Sequence, residues 1–366
     1  MTQEAQDRTW MRRAIALAKL SEGLTRPNPP VGAVVVRDGR KLGEGRHLCA
    51  GSAHAEVEAL TACRESAAGA TLYVTLEPCC TYGRTPPCTD RILHEKIARV
   101  VVGCRDENGC HCGRGLELLS KRGVEVVYGV CEDEARELVL PFFKHITSGL
   151  PFVTLKLALT LDGRIADRRS SSQWITGEAA RAEVQRMRCR ADGVMVGAGT
   201  VLADNPSLLC RNGGGEKLMR IIVDGRAVIS PDAQVLTDAA ARRTIVATLR
   251  GTDKKRRSSW SAHGADVWEF APDKQSHVPL RRLMRRLGDA GCLHVLCEGG
   301  GHLAGALHDA GLVDEYCFFY APAVLGDSAA IGAVEGCGTL LSKMLRMRCV
   351  ELKRFGDDIM MRVRKA

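Results

Sequence analysis

The sequence predicts an α/β protein of two domains, and three observations carry that prediction. The chain has 366 residues, whereas a typical domain has about 150. Predicted strands alternate with predicted helices along most of the chain, which is the pattern of layered α/β folds. A turn-rich segment, Thr147–Pro151, interrupts this pattern, and the alternation starts again at Phe152. We therefore expect two domains, at residues 1–147 and 148–366.

Hydrophobic periodicity and turn signals predict the elements of each domain in order. In the first domain we expect helices at Arg12–Leu20, Ala55–Glu65, Asp90–Glu95 and Gly115–Arg122, and strands at Val31–Val36, Lys41–Gly45, Thr71–Leu76, Arg99–Gly103 and Glu125–Gly129. In the second we expect helices at Glu178–Cys189, Pro279–Ala290 and His302–Ala310, and strands at Phe152–Leu159, Val194–Gly197, Arg220–Val223, Thr244–Thr248, Val267–Phe270, Leu293–Cys297, Tyr316–Tyr320, Arg348–Leu352 and Ile359–Val363.

Composition excludes several classes of protein. Apolar residues make up 45% of the chain and charged residues 26%, which excludes collagen-like, disordered and small disulfide-stabilised proteins. No apolar stretch approaches the roughly 18 residues that a membrane span requires, and Met1–Arg13 is too polar for a signal peptide. We predict a cytoplasmic protein with no membrane partner and with its 16 cysteines reduced. The net charge of +9 suits either an anionic small molecule or nucleic acid.

A metal-binding pattern lies in the first domain. His54 and Glu56 open a predicted helix, Cys79 follows Pro78 after a predicted strand, and Cys88 comes nine residues later. A catalytic zinc ion takes three protein ligands and keeps a fourth position for water. An H-x-E motif followed by Pro-Cys is typical of zinc deaminases, in which the glutamate moves protons. We predict one Zn²⁺ per chain, bound by the histidine and the two cysteines, with Glu56 as catalytic acid and base.

Other cysteines leave two questions open. Cys80 lies beside Cys79 and can compete for zinc or be an inert buried thiol; we assign Cys79 because it follows Pro78. Further along, ligand-type residues cluster within a short segment, Cys104, Cys110, His111 and Cys112. A second, structural zinc site and a reshaped loop with incidental thiols both fit this cluster.

Two glycine-rich turns in the second domain indicate a cofactor. Gly197–Thr200 and Glu298–Gly301 each follow a predicted strand, and backbone amides in such turns can bind phosphate. Taken alone, this pattern is a weak dinucleotide signal because it lies late in the chain and outside an opening βαβ unit.

Longer segments resemble a known family. Pro27–Gly32, His54–Val57 and Leu76–Cys88 are similar to the deaminase domain of the bifunctional riboflavin-biosynthesis deaminase/reductase family. Segments of the second half are similar to the reductase domain of that family, namely Leu155–Ala158, Leu161–Ala166, Trp174–Thr176, Val196–Pro206 and Glu298–Gly300. The resemblance implies an N-terminal cytidine-deaminase-like three-layer α/β/α domain and a C-terminal dihydrofolate-reductase-like α/β domain.

The resemblance also implies an activity and the residues that perform it. The first domain would deaminate 2,5-diamino-6-(5-phosphoribosylamino)pyrimidin-4(3H)-one by zinc-dependent hydrolysis. The second would use NADPH to reduce the ribosyl group, which gives 5-amino-6-(5-phosphoribitylamino)uracil. The implied substrate contacts are Asn28, His47 and Arg84 in the first domain and Ser172, Arg188, Leu208, Arg211 and Glu298 in the second. The implied NADPH contacts are Ala158, Trp174, Thr200, Asp204, Gly300, Gly301, His302, Leu303, Ala304, Gly305 and Ala306.

The sequence departs from the family at two positions and leaves two other interpretations open. Cys80–Thr81 stands where the family often has Ser-His, and Glu58 where it often has His. One alternative is a nucleic-acid-editing deaminase with a basic RNA-binding half, against which stand an aromatic content of only 4% and no RNA-binding signature. The other is a zinc-stabilised binding protein without catalysis, which the presence of Glu56 and Glu298 disfavours. The oligomeric state is open between a monomer and a homo-oligomer.

Overall fold

The computed structural model describes residues 2–82, 86–109, 112–211 and 217–366. The chain separates into two compact units, Met1–Leu150 and Pro151–Ala366. The boundary expected after residue 147 falls in the last turn of a helix that the sequence analysis did not predict, Glu132–Ser148.

The first unit is a three-layer α/β/α sandwich. Its elements are α1 (Gln3–Lys19), β1 (Gly32–Arg37), β2 (Arg40–Arg46), α2 (Ala55–Thr61), β3 (Thr71–Leu76), α3 (Cys88–His94), β4 (Arg99–Cys104), α4 (Arg114–Lys121), β5 (Glu125–Tyr128) and α5 (Glu132–Ser148). The sheet order is β2-β1-β3-β4-β5, with β1 antiparallel to both neighbours and β3, β4 and β5 parallel.

Alternating strand residues place the two cores of this unit on opposite faces of the sheet. Val34 and Tyr73 pack with α1 and α5, whereas Val35 and Val74 pack with α2, α3 and α4. Glycines bring α2 close to the edge strand β2, since a Cβ at Gly45 would lie 2.4 Å from the Ala59 nitrogen. The helix that carries the predicted metal ligand and proton carrier is therefore packed directly onto the sheet.

The second unit is built around a nine-stranded sheet. Its elements are β6 (Phe152–Leu159), β7 (Arg164–Ala166), α6 (Glu178–Arg190), β8 (Gly193–Gly197), α7 (Ala198–Asp204), β9 (Met219–Val223), α8 (Gln234–Thr237), β10 (Thr244–Leu249), α9 (Lys254–Ala262), β11 (Asp266–Phe270), α10 (Leu280–Asp289), β12 (His294–Cys297), α11 (Gly301–Asp309), β13 (Glu315–Tyr320), β14 (Ile331–Gly332), β15 (Met347–Phe355) and β16 (Asp358–Lys365).

The strand order of this sheet is β11-β10-β9-β8-β12-β6-β13-β16-β15. Strands from β11 to β13 are parallel, and β16 and β15 are added antiparallel. Strands β8 and β12 are adjacent, so the two glycine-rich turns that follow them lie side by side at the carboxyl edge of the sheet. This edge is where open parallel sheets usually bind ligands.

Every predicted strand and helix is present, and three of the longer helices depart clearly from the prediction. Helix α1 begins at Gln3 because Thr2 caps it, although its first turns are too polar to show an apolar period. Helix α5, which was not predicted, contains Pro141, and proline usually ends a helix. Helix α9, also not predicted, begins with the basic run Lys254–Arg257 and buries only Trp260. No helix in the described ranges is long and apolar enough to cross a bilayer.

Candidate active sites

The predicted zinc ligands come together in the first unit. His54 is the residue before α2, in extended backbone, and Cys88 is the first residue of α3. His54 Nδ1 lies 3.2 Å from the Cys88 sulfur and 3.6 Å from the Cys79 sulfur. All three donor atoms lie within 4.8 Å of one another, and no other such group of His, Cys, Asp or Glu occurs among the described residues.

These donors fit a zinc ion. With Zn–S of about 2.3 Å and Zn–N of about 2.1 Å, tetrahedral ligands lie about 3.5 Å apart, close to the observed separations. A hydrogen bond from Cys88 and one with His54 lower the pKa of Cys79, while that same thiol contact and burial raise the pKa of Cys88. One proton is therefore shared between two sulfurs, and a divalent cation in its place would let both be thiolates.

Glu56, in the first turn of α2, lines the same cavity as His54 and Cys79. Its side chain is 4% exposed. Burial, followed by the nearby Cys79 thiolate, raises the pKa of Glu56 to about 7. The cavity has a volume of about 240 Å³ and is lined by Asn28, His47, His54, Glu56, Cys79, Asp106 and Asn108, among others. A carboxyl group with this pKa can both accept and donate a proton near neutral pH.

Asn28 and His47 form one hydrogen-bonded unit on the wall of the cavity. His47 Nδ1 lies 3.0 Å from the carbonyl oxygen of Ala53, and a carbonyl only accepts, so this nitrogen carries the proton. Burial lowers the pKa of His47, and its neutral ring then accepts at Nε2 from Asn28 Nδ2, 3.0 Å away. The contact fixes the orientation of the Asn28 amide, with its NH₂ group toward His47.

Glu77, which was not among the predicted site residues, holds part of the deaminase site in place. Its side chain is 4% exposed and accepts hydrogen bonds from the backbone amides of Asp106, Gly113, Gly115 and Leu116. The residue next to it is Pro78, which precedes Cys79. One carboxylate therefore ties the ligand segment to the loop that supplies Asp106 and Asn108 to the cavity wall.

Three residues of the sequence analysis, Arg84, Cys110 and His111, lie outside the described residues. Their roles stay predictions. Of the remaining cysteines in the proposed second cluster, Cys104 is buried and donates to the Thr75 carbonyl, whereas Cys112 is exposed.

The second unit brings two predicted charged contacts together at the carboxyl edge, and Lys156, which was not predicted, interacts with both of them. Glu298 follows β12 and forms a two-pronged ion pair with Arg188 of α6, with Nη2 2.9 Å from Oε2. The two side chains are only 10% and 12% exposed. Burial opposes ionisation of Glu298, but Arg188 and Lys156 outweigh it and lower its pKa. Lys156, on β6, has a pKa lowered by burial, with Glu298 as the opposing charge.

The glycine turn after β12 has a backbone that favours glycine. Gly299 and Gly300 have φ of 100° and 87°, and α11 begins at Gly301. A Cβ at Gly301 would lie 2.6 Å from the Gly332 oxygen. In α11 the residues Leu303, Ala304 and Gly305 are buried, whereas His302 and Ala306 are exposed. The amides of the first turn, rather than these side chains, are thus the groups with which the segment would bind a phosphate.

The other predicted reductase contacts differ in how they are presented. Asp204, at the end of α7, accepts a hydrogen bond of 2.9 Å from the Ser172 hydroxyl. Thr200 donates to the Gly299 carbonyl at 3.4 Å and so links the two glycine turns. Trp174 is 68% exposed, with the Arg181 guanidinium 4.6 Å from its ring centre.

Leu208 and Arg211 lie on the segment after α7. The Leu208 side chain is 2% exposed and belongs to the core, so only its backbone can reach a ligand. Arg211 is exposed, and its amide donates to Gln185 Oε1 at 3.1 Å. Ala158, on β6, is partly buried.

The expectation that all cysteines are reduced is wrong for one pair. Cys189 at the end of α6 and Cys210 form a disulfide, with their Cα atoms 5.4 Å apart. The spacing of 21 residues carries no signal of this contact; it arises because the segment after α7 folds back onto α6.

Comparisons with known proteins agree with both halves. Residues 4–104 match the zinc-binding region of cytidine and deoxycytidylate deaminases, and residues 151–361 match the RibD C-terminal domain. The riboflavin biosynthesis protein RibD of Bacillus amyloliquefaciens is 40% identical over 352 residues, 96% of this chain and 94% of that protein. RibD of Escherichia coli is 36% identical over 361 residues, 97% of this chain and 98% of that protein.

Solved structures are similar over the whole chain. RibD of Acinetobacter baumannii superimposes with a TM-score of 0.87 at 36% identity, covering 100% of both chains. A Thermotoga maritima diaminohydroxyphosphoribosylaminopyrimidine deaminase/5-amino-6-(5-phosphoribosylamino)uracil reductase gives a TM-score of 0.86 at 35% identity, also covering 100% of both chains.

The folds and sites together define a bifunctional enzyme, in which a zinc-binding deaminase domain precedes a reductase domain that uses NADPH. Its likeness to the proteins above extends over nearly the full length of the chain. The chain belongs to the RibD family of riboflavin biosynthesis enzymes.

Proposed function

We propose that the first domain, residues 1–147, hydrolyses the 2-amino group of 2,5-diamino-6-(5-phosphoribosylamino)pyrimidin-4(3H)-one, and that residues 148–366 then reduce the ribosyl side chain with NADPH. The observation that carries the proposal is the placement of Glu56 in one cavity with His54 and Cys79, whose donor atoms form a group with the Cys88 sulfur. The activity named for the Thermotoga maritima relative supports the choice of substrate.

In the deaminase site, zinc bound by the three ligands would supply a water nucleophile near neutral pH. Glu56 takes up a proton at a carboxylate oxygen and gives it to the departing amino nitrogen, for which a pKa of about 7 is suited. The oxygen of the Asn28 amide, whose orientation His47 fixes, accepts a hydrogen bond from the pyrimidine. Arg84 would bind the phosphate.

In the reductase site, NADPH supplies the hydride. As C1′ of the ribosyl group receives that hydride, its bond to the ring oxygen breaks, and the oxygen must gain a proton. Lys156 is a partly buried amine of this site, and its charge interacts with that of Glu298. We therefore assign the proton transfer to Lys156, and the binding of ribosyl hydroxyls to Glu298. Arg188 keeps Glu298 ionised.

A coupled assay on zinc-loaded protein tests both halves, with ammonia release followed first and NADPH oxidation second. Glu56→Gln should reduce ammonia release by about 10²- to 10⁴-fold, because it removes the proton carrier, and leave the zinc content unchanged. The product supplied directly should still be reduced. Glu117→Gln, a change at an exposed glutamate of α4, is the control. Full deamination by Glu56→Gln would exclude the assigned role.

Lys156→Met should lower kcat of the reductase by about 10²-fold or more without affecting ammonia release, since the ring oxygen loses its proton donor. Lys353→Met, at an exposed lysine of β15, is the matched control. Unchanged kcat in Lys156→Met would show that the proton comes from elsewhere.

We further propose that the ligand is a small phosphorylated pyrimidine and that nucleic acid is no partner. The basic run at the start of α9 supports this. Arg256 donates to the Val228 and Ile229 carbonyls, and Arg257 pairs with Glu269. Both arginines are therefore engaged within the protein. Salt-sensitive binding of tRNA by the purified enzyme would contradict the proposal.

We also propose a homo-oligomer, formed through the outer face of β15 and β16. Leu352, Ile359 and Met361 lie on that face and are 63%, 43% and 36% exposed. Strand β15 is the last in its sheet, so its outer edge offers free backbone groups. A second copy of the chain would cover the apolar face and the edge of β15.

A further inference from the structure

Arg220, on β9, is a fully buried arginine with no assigned role. Its side chain is 0% exposed. An arginine in a protein core must be paired, and Asp238 receives both of its terminal nitrogens, with Nη1 2.6 Å from Oδ2 and Nη2 2.9 Å from Oδ1. One nitrogen of this arginine also reaches the segment that follows α7.

The Arg220 guanidinium also donates hydrogen bonds to two backbone carbonyl groups. Nη1 donates to the Ser207 carbonyl at 3.0 Å, and Nη2 donates to the Val235 carbonyl at 2.7 Å. Val235 belongs to α8, and the preceding residue of that helix, Gln234, donates its amide to Asn205 Oδ1 at 2.8 Å. The planar fork thus connects β9, α8 and the segment after α7 at one point.

We call residues Ser207–Arg211 the substrate loop, because Leu208 and Arg211 are the predicted substrate contacts on it. Helix α6 also binds the substrate loop. Arg188 Nη1 donates to the Leu209 carbonyl at 3.3 Å, and Gln185 accepts from the Arg211 amide. Arg188 is also the partner of Glu298, so the loop and the buried carboxylate share one anchor.

The backbone of this region depends on such anchors. Asn205 and Leu208 have φ of 41° and 54°, the left-handed region that side chains other than glycine disfavour. Non-glycine residues stay there only where surrounding contacts hold them. The Ser207 carbonyl lies between these two residues and is the group that Arg220 binds.

We propose that Arg220, paired with Asp238, is a positioning residue of the reductase: it sets the course of the substrate loop and thereby the affinity for the phosphorylated pyrimidine, without touching it. The proposal rests on the proposed function, because it takes Leu208 and Arg211 as substrate contacts. Stability alone does not account for the pair, since replacing a buried ion pair by uncharged groups is often neutral or stabilising. An uncharged pair would, however, lose the bond to Ser207.

The test compares variants in the full zinc-loaded enzyme, by KM and kcat of the reductase, ammonia release and melting temperature. The double variant Arg220→Met/Asp238→Asn removes both charges and the bond to Ser207. It should raise KM for the phosphorylated substrate by about tenfold or more, because a displaced loop misplaces its contacts, and leave ammonia release unchanged. Arg220→Lys keeps a charge opposite Asp238. It should therefore have a higher melting temperature than the double variant and a smaller increase in KM.

Two control variants distinguish an effect on the position of the substrate loop from a loss of stability. Arg362→Met removes a partly buried ion pair between Arg362 of β16 and Glu315 of β13, neither of which is a predicted substrate or cofactor contact. It should lower the melting temperature and leave KM unchanged. Arg211→Ala removes a predicted direct contact between the substrate loop and the substrate, so it should raise KM.

The outcomes are distinct. A raised KM in Arg211→Ala with an unchanged KM in both Arg220 variants overturns the positioning role alone. Equal rises in the Arg220 and Arg362 variants also overturn it, because they would follow from loss of stability. If Arg211→Ala and the Arg220 variants all leave KM unchanged, the predicted substrate contacts are wrong and the inference fails with them.

Discussion

At the scale of single residues, the deaminase site depends on carboxylates in two different surroundings. Glu56 is buried beside the Cys79 sulfur, and burial raises its pKa, as the proposed proton carrier requires. Glu77 instead accepts hydrogen bonds from backbone amides and so holds a loop. Two glutamates of similar burial are therefore suited to different roles, according to what their oxygens contact.

Glu77→Gln should lower the free energy of unfolding by about 1–3 kcal/mol, because the amide NH₂ would face backbone N–H groups that then lack an acceptor. Deaminase activity should fall as well, since Asp106 and Asn108 would shift, while the reductase is unaffected. Urea unfolding and ammonia release measure the two effects. Glu117→Gln serves as the control, and equal behaviour of the two variants would contradict the role.

His294 makes stability depend on pH. It lies at the start of β12, with Nε2 2.9 Å from the Thr154 hydroxyl, and burial lowers its pKa from 6.5 to about 4. Glu315 and Arg362 are the charges that face it. Because the unfolded chain binds a proton more tightly, this contribution is complete above pH 6.5 and is lost as the pH falls toward 4.

We expect about 2 kcal/mol of stability to be lost from this group between pH 7 and pH 5, at 1.36 kcal/mol per pKa unit. Urea unfolding of the wild type and of His294→Gln across this range measures it as the difference in slope. Parallel profiles for the two proteins would show that His294 does not titrate in this way.

At the scale of elements, the loop after α7 is held by more bonds than its sequence suggests. The disulfide between Cys189 and Cys210 closes a segment of 21 residues, and it joins α6 to the substrate loop. Closing a loop of this size restricts the unfolded chain and stabilises the fold by about 3 kcal/mol.

A reducing agent should therefore lower the melting temperature of the reductase unit, and Cys189→Ser should have a lower melting temperature that reductant no longer changes. Calorimetry with and without dithiothreitol makes the comparison. Cys349→Ser, at an exposed free cysteine of β15, should behave like the wild type. A wild-type melting temperature that is insensitive to reductant would count against a stabilising disulfide.

At the scale of the whole molecule, two units with separate cores carry two chemistries. One has a metal site where helices begin beside a mixed sheet, and the other has glycine turns at the carboxyl edge of a largely parallel sheet. The residues assigned to each site belong to one unit, so the changes proposed above should affect one activity at a time.

The proposed homo-oligomer makes a prediction at this scale. Leu352→Asp places a charge on the outer face of β15 and should shift the sedimentation coefficient of the wild-type oligomer to that of a monomer. Leu20→Asp, at an exposed leucine of the first unit, should leave the oligomer intact. A wild-type enzyme that sediments as a monomer at all concentrations would rule the interface out.

The sequence by itself determined the fold class and the family, and it predicted the zinc ligands and the proton carrier. These follow from local patterns: strand and helix periods, and motifs such as His54–Glu56 and Pro78–Cys79, in which neighbours in sequence do the chemistry. The resemblance also named Arg188 and Glu298 separately. What it could not give is that they form one ion pair, since they are 110 residues apart.

Tertiary structure alone decided which charges share a site and what holds the loops. The partners of Glu77, the pairing of Cys189 with Cys210 and the bond from Arg220 to Ser207 all join segments that are distant in sequence or irregular in backbone. Such contacts leave no periodic trace in a single sequence. They form only once the strands and helices have packed, and they decide how the substrate loop and the cavity wall are positioned.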